Sequence, residues 1–316
     1  MRLILFTLLG TGLGQTLPTL PVRSFHGFGG SCGNLSRRDP AVCVESGAGA
    51  ASTRASMITQ ANTACGLLLA EEAHLRNGFH IIAYSQGGLI ARHILHRCVP
   101  INRYIRRMVF VGTPHLGVGA SAARLLQAIE IAPPQGKDFP TPRPENSERE
   151  GEDLQGSKGK SDGSKIKKRL LPASEYTNRG GSPPAFLADV NNVAWSPLYA
   201  GLDFIVNIMS KTEGTVRPSY STGMGARYNA QGQIQDGSTV SFIASRPNGV
   251  GQLFNNGQLW NCLSDAGHNR FTPREIRVVY STLFRESPGA TSYKESALKQ
   301  LAQFVRSYPN PCNGRS

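Results

Sequence analysis

Apolar residues in this chain gather in short unbroken blocks separated by glycine-containing turns. FHIIAY at 79–84, MVFV at 108–111, DFIVNIM at 203–209 and LWNCL at 259–263 have the length and continuity of strands covered on both faces. Leu20 to Phe25 and Ala41 to Glu45 are shorter strand candidates. Between these blocks the period changes. From Ala51 to Leu75, the residues Met57, Ala61, Ala64, Leu68 and Leu69 recur at helical spacing until Gly78 stops the run. Leu89 to Cys98 reads as another helix, with Pro100 beyond its end. Order resumes at Ala185 to Asn192, and Thr272-Pro273-Arg274-Glu275 opens a last helix, with Thr272 as cap and Pro273 in the first turn. Strands and helices in alternation predict an α/β fold, a mostly parallel central sheet flanked by helices.

Three stretches break this pattern. NLSRRDP at 34–40 leaves little room for the helix that usually links parallel strands, so the first crossover is expected to be shortened or missing. Residues 133–172 carry proline, glycine, serine and mixed charge without periodic apolar positions. Such a segment cannot bury enough surface to offset chain entropy, and it reads as a disordered insertion in a cap region. MRLILFTLLGTGLG at the start has a basic residue and then an apolar run too short to span a bilayer, the shape of a signal peptide. The resulting organisation is a signal peptide at 1–16, the α/β domain at 17–287 and a partly helical tail at 288–316.

Composition narrows the function classes. The 316 residues carry a net charge of +13, but the basic residues are dispersed, so nucleic acid is not an expected partner. No later run is long and apolar enough for a membrane span. The cysteines Cys32, Cys43, Cys65, Cys98, Cys262 and Cys312 suit an oxidising compartment and lack the close spacing of a zinc site. No metal or other cofactor is expected, and the oligomeric state stays open. Asn34-Leu35-Ser36 is the glycosylation sequon.

The candidate chemistry begins at Ser85, between the apolar block ending at Tyr84 and Gln86-Gly87-Gly88. Strand, sharp turn and helix in that order make a nucleophile elbow, with Ala83 where the usual Gly-x-Ser-x-Gly pattern has its first glycine. His26-Gly27-Phe28-Gly29-Gly30-Ser31 follows the first strand candidate. In such hydrolases one oxyanion-hole N–H comes from the residue after the nucleophile and another from a loop of this kind; those would be Gln86 and Phe28. Glu213, in the loop after a late strand, is the candidate acid, with Asp203 and Asp236 as weaker ones. His268, between the last strand and the last helix, is the candidate base. Asp265 more readily shapes that loop. His115 lies ahead of every candidate acid and reads as a loop histidine bonded to backbone.

Several collinear segments resemble the palmitoyl-protein thioesterases: HGFGGSCGN at 26–34, NGFHIIAYSQGG at 77–88, HRCVP at 96–100, AFLADVNN at 185–192, TEGTVRP at 212–218 and NNGQLWNCLSDAGHNRFT at 255–272. The resemblance implies an α/β-hydrolase fold in which Ser85 is the nucleophile, His268 the base and Glu213 stands where the family has an aspartate. It also implies a Cys65–Cys98 disulfide. The implied reaction is the removal of palmitate and other long-chain acyl groups from cysteine thioesters, in a lysosome-like compartment. S-acylated proteins or peptides and fatty acyl thioesters would be the substrates. A lipase-like carboxylesterase and an inactive hydrolase-like binding protein are the competing readings.

Overall fold

In the computed structural model, residues 20–119, 177–178, 184–191, 201–210, 212–216, 219–224, 227–228, 234–235, 249–264, 266–268, 272–285 and 312–313 are described. The expected signal peptide and the 133–172 insertion lie outside them. The strands, in chain order, are β1 Val22–Phe25, β2 Val42–Cys43, β3 Phe79–Tyr84, β4 Ile105–Val111, β5 Val118–Gly119, β6 Thr177–Asn178, β7 Phe204–Ser210, β8 Arg227–Tyr228, β9 Ile234–Gln235, β10 Leu259–Ser264 and β11 Cys312–Asn313. The helices are α1 Cys32–Leu35, α2 Ala50–Arg54, α3 Met57–Ala70, α4 Glu72–Leu75, α5 Gln86–Arg97, α6 Ala185–Asn191, α7 Gly249–Asn255 and α8 Pro273–Leu283.

One seven-stranded sheet, in the order β11-β10-β7-β4-β3-β1-β2, organises the described residues. Every neighbouring pair is parallel except β10 with β11. The continuous apolar blocks fill both faces by simple alternation. Phe79, Ile81, Met108, Phe110 and Ile205 join one core with residues of α3, α5, α6 and α7. Ile82, Tyr84, Val109, Val206 and Ile208 join the other, against Ile276, Val279 and Leu283 of α8. This is the α/β-hydrolase arrangement, in which catalytic loops gather at one end of parallel strands.

The helix expected over 51–75 is divided into α2, α3 and α4. Ala55 is extended, and the Ser56 side chain accepts from the Thr59 N–H to cap α3. Capping of this kind competes with helix continuation. The first crossover is indeed short: α1 has only four residues. A Cys32–Cys43 disulfide ties it to β2. Buried Asp39 accepts from the Tyr84 hydroxyl at 2.7 Å, from the Ala41 N–H at 2.9 Å and from the Tyr280 hydroxyl of α8.

A second disulfide, Cys65–Cys98, joins α3 to the end of α5, the pairing that the resemblance implied. Cys262 is also disulfide-bonded, and the sheet register sets it opposite Cys312. The tail expected to be partly helical is described only at Cys312–Asn313, where it is the antiparallel edge strand. Among the described residues no helix is long and apolar enough to cross a membrane.

Candidate active site

Ser85 stands between β3 and α5 with φ 50° and ψ −123°, the non-glycine residue at positive φ among the described residues. Strain of this kind persists only where the surroundings impose it. Here the Ser85 N–H donates to Val111 O at 2.8 Å and Ser85 O accepts from the Gly88 N–H at 2.9 Å. A Cβ at Gly87 would lie 2.5 Å from His26 O, and one at Gly88 would lie 1.9 Å from Thr113 Oγ1. Both glycines are therefore dictated by close approach rather than by dihedral freedom. Ala83, by contrast, is a regular residue of β3, paired with Phe25 and Phe110. Its methyl is buried before the turn starts, so the departure from glycine is accommodated.

The loops after β7 and β10 bring two more side chains to the elbow. His268 Nε2 is 3.0 Å from Ser85 Oγ. His268 Nδ1 is 2.7 Å from Glu213 Oε2. The other glutamate oxygen accepts from the Thr215 and Val216 N–H groups, both at 2.8 Å. The extra methylene relative to aspartate is thus absorbed by a tight turn within the acid's own loop. That side chain is fully buried and the imidazole is 10% exposed. A proton held on Nδ1 by the carboxylate leaves Nε2 as the acceptor facing the serine hydroxyl. Behind the histidine, Ser264 Oγ accepts from the Ala266 N–H at 3.1 Å, and Thr272 with Glu275 forms a capping box at the start of α8. Asp265 lies outside the described residues.

The loops carrying Phe28 and Gln86 meet where Gly87 abuts the His26 and Phe25 carbonyls. The Gln86 side chain turns inward and donates to Gln60 Oε1 at 2.9 Å and Ser52 O at 3.1 Å. On the facing loop the Gly29 N–H donates to Ser52 Oγ at 2.8 Å. Helix α2 therefore supports both halves of the expected oxyanion hole.

The other candidates fall elsewhere. Asp203 pairs with Arg106 and Arg107, and Asp236 lies outside the described residues. His115 is buried, with Nε2 3.0 Å from Asn207 Oδ1. Its ring bonds to a side chain rather than to the expected backbone partner. Burial, helped by the Arg92 charge, lowers its pKa to about 3, which keeps the ring neutral. Asn207 donates to Asn261 Oδ1 and to Thr222 O, both at 2.7 Å. Asn261 closes on Met224, donating to its carbonyl and accepting its N–H, each at 3.0 Å. This buried network fastens the segment that follows the acid loop. Asn207 and Asn261 were visible in the sequence as polar residues inside apolar strand blocks, a pattern that signals a hydrogen-bonded role.

The palmitoyl protein thioesterase family model matches residues 21–268, more than half of the chain. The chain belongs to this family. Its hydrolase fold and its serine, histidine and carboxylate contacts are thus found in a hydrolase family whose substrates are acylated. No curated protein matches the chain. Among solved structures, lipase B of Aspergillus fumigatus aligns at 12% identity and a TM-score of 0.37, over 94% of this chain and 65% of that one. An α/β-hydrolase fold protein of Chitinophaga pinensis aligns at 19% identity and a TM-score of 0.24, over 36% of this chain and 44% of that one. A gene product of Listeria innocua aligns at 11% identity and a TM-score of 0.38, over 92% and 94% of the two chains. The chain spans just under two thirds of the length of the Aspergillus lipase.

Proposed function

We propose that this family member is a serine hydrolase that removes long-chain fatty acyl groups, palmitate in particular, from cysteine thioesters of proteins or peptides. The observation that carries the reading is the continuous contact from Glu213 through His268 to Ser85. His268 takes the hydroxyl proton as Ser85 attacks the thioester carbonyl, and the N–H groups of Phe28 and Gln86 receive the developing oxyanion. The tetrahedral intermediate expels the thiol, which leaves with the proton from His268. Water, deprotonated by the same imidazole, then hydrolyses the acyl-serine ester. Glu213 keeps the ring oriented and stabilises its cationic form throughout.

The disulfides fit a secretory or lysosome-like location, and Asn34 of the sequon is exposed. Labelling by a fluorophosphonate probe tests the nucleophile: wild type should react and Ser85→Ala should not. Palmitoyl-CoA compared with matched oxygen esters tests the substrate class. Turnover confined to the oxygen esters would replace the thioesterase reading with a carboxylesterase. Absence of labelling in the wild type would favour a binding protein.

A further inference from the structure

Glu45 had no functional role in the sequence pattern, yet its carboxylate holds both ends of the glycine loop that carries Phe28. Glu45 Oε1 is 2.7 Å from His26 Nε2 and accepts the Gly47 N–H at 3.2 Å. Glu45 Oε2 accepts the Cys32 N–H at 2.8 Å. His26 is therefore fixed at the start of the loop and Cys32 at its end, with Phe28 between them. The remaining imidazole nitrogen, Nδ1, is 2.9 Å from Gly27 O, so both ring nitrogens are engaged. The His26 carbonyl packs where a Gly87 Cβ would stand, 2.5 Å away, which links the clamp directly to the elbow.

We propose that Glu45 is a positioning residue for the oxyanion hole, setting the place of the Phe28 N–H through His26 and Cys32; the inference rests on the hydrolase reading above. Glu45 touches no reacting atom. Its effect is expected only where charge develops on the substrate oxygen, since a donor displaced from that point stabilises the transition state less and leaves ground-state binding unchanged. Glutamine has the same shape: with its carbonyl accepting the Cys32 N–H, its amide N–H can be accepted by His26 Nε2 when the ring proton sits on Nδ1, so both ends of the clamp can be kept. Alanine releases both.

The test compares wild type, Glu45→Gln and Glu45→Ala with a palmitoyl thioester substrate and a long-chain alkyl trifluoromethyl ketone. That inhibitor's hemiketal oxyanion mimics the tetrahedral intermediate. For Glu45→Ala, kcat should fall roughly 10- to 100-fold with KM nearly unchanged, part of the range seen when one oxyanion donor is removed outright. The inhibition constant should rise by the same factor, and Glu45→Gln should lose less. A folded Glu45→Ala, verified by its thermal transition, whose kcat stays within about twofold of wild type would overturn the proposal. So would equal losses in substrate and analogue binding. A wild type that neither turns over acyl substrate nor reacts with the fluorophosphonate overturns the hydrolase reading and this inference with it.

Discussion

At the β1–β2 edge, the loop bearing Phe28 is held by a disulfide and by a carboxylate that bonds an imidazole and two backbone N–H groups. On the other side of the elbow, the segment following Glu213 is held by uncharged side chains, His115, Asn207 and Asn261. The difference follows burial. The Glu45 side chain is 38% exposed, so its charge keeps part of its hydration. Asn207 and Asn261 are almost completely buried between strands, where an unpaired charge would cost several kcal/mol. An amide avoids that cost and donates and accepts at once, so it can bond across strands and to a loop simultaneously. The short first crossover buries little of itself, only Leu35 of α1 and Asp39 after it. Covalent and ionic ties there replace the packing that a longer helix supplies.

The largest effect is expected on the amide-held side, at Glu213, the proposed acid. Glu213→Gln removes the charge that stabilises the imidazolium and offers His268 Nδ1 a mixed donor and acceptor in place of a carboxylate. Turnover of an acyl thioester should fall by about 10³- to 10⁴-fold, the scale of the corresponding change in other triads, while the fold persists. A rate near wild type would remove Glu213 from the machinery and leave the two loops without a common purpose. Next in size is Asn207→Leu. It strands the partner atoms of Asn207 on His115, Thr222 and Asn261, each loss costing about 1–3 kcal/mol. A drop in unfolding free energy on the order of 4 kcal/mol is expected from urea titration. A loss below about 1 kcal/mol would show that the network merely fills space.

Periodicity made most of this sheet legible. The blocks at 79–84, 108–111, 203–209 and 259–263 became its central strands with small shifts at their ends, because a strand covered on both faces has to be apolar throughout. Ser85, Glu213 and His268 were legible for a different reason: each stands in a small-residue loop directly after one of those blocks. The supports of the site were not legible in the same way. Asp39, Glu45 and Tyr280 meet their partners across 45, 19 and 241 positions of sequence, and local pattern carries no signal for such pairings. The break at Ala55 escaped for a local reason, since the apolar period continues through it and only the cap at Ser56 interrupts the helix.

A final prediction separates the two kinds of support by pH. His115 in the folded chain has a pKa lowered to about 3, chiefly by burial and then by Arg92, against about 6.5 when unfolded. The unfolded chain therefore binds a proton that the folded chain refuses. This contribution to stability is intact above the unfolded pKa and is lost as pH falls from about 6.5 toward 3. His80 and His96 are lowered to about 3 as well and act in the same direction. A proton on His115 would also place a donor at buried Nδ1, which has no partner among the described residues. Replacing His115→Gln keeps a donor for Asn207 and removes the titration. Its stability measured between pH 6.5 and 5 should therefore fall less steeply than that of wild type, by up to about 1.4 kcal/mol per pH unit. Equal slopes would mean that His115 takes up its proton without disturbing the network. In that case the contrast between a charged edge and an uncharged interior would not extend to how the two respond to acid.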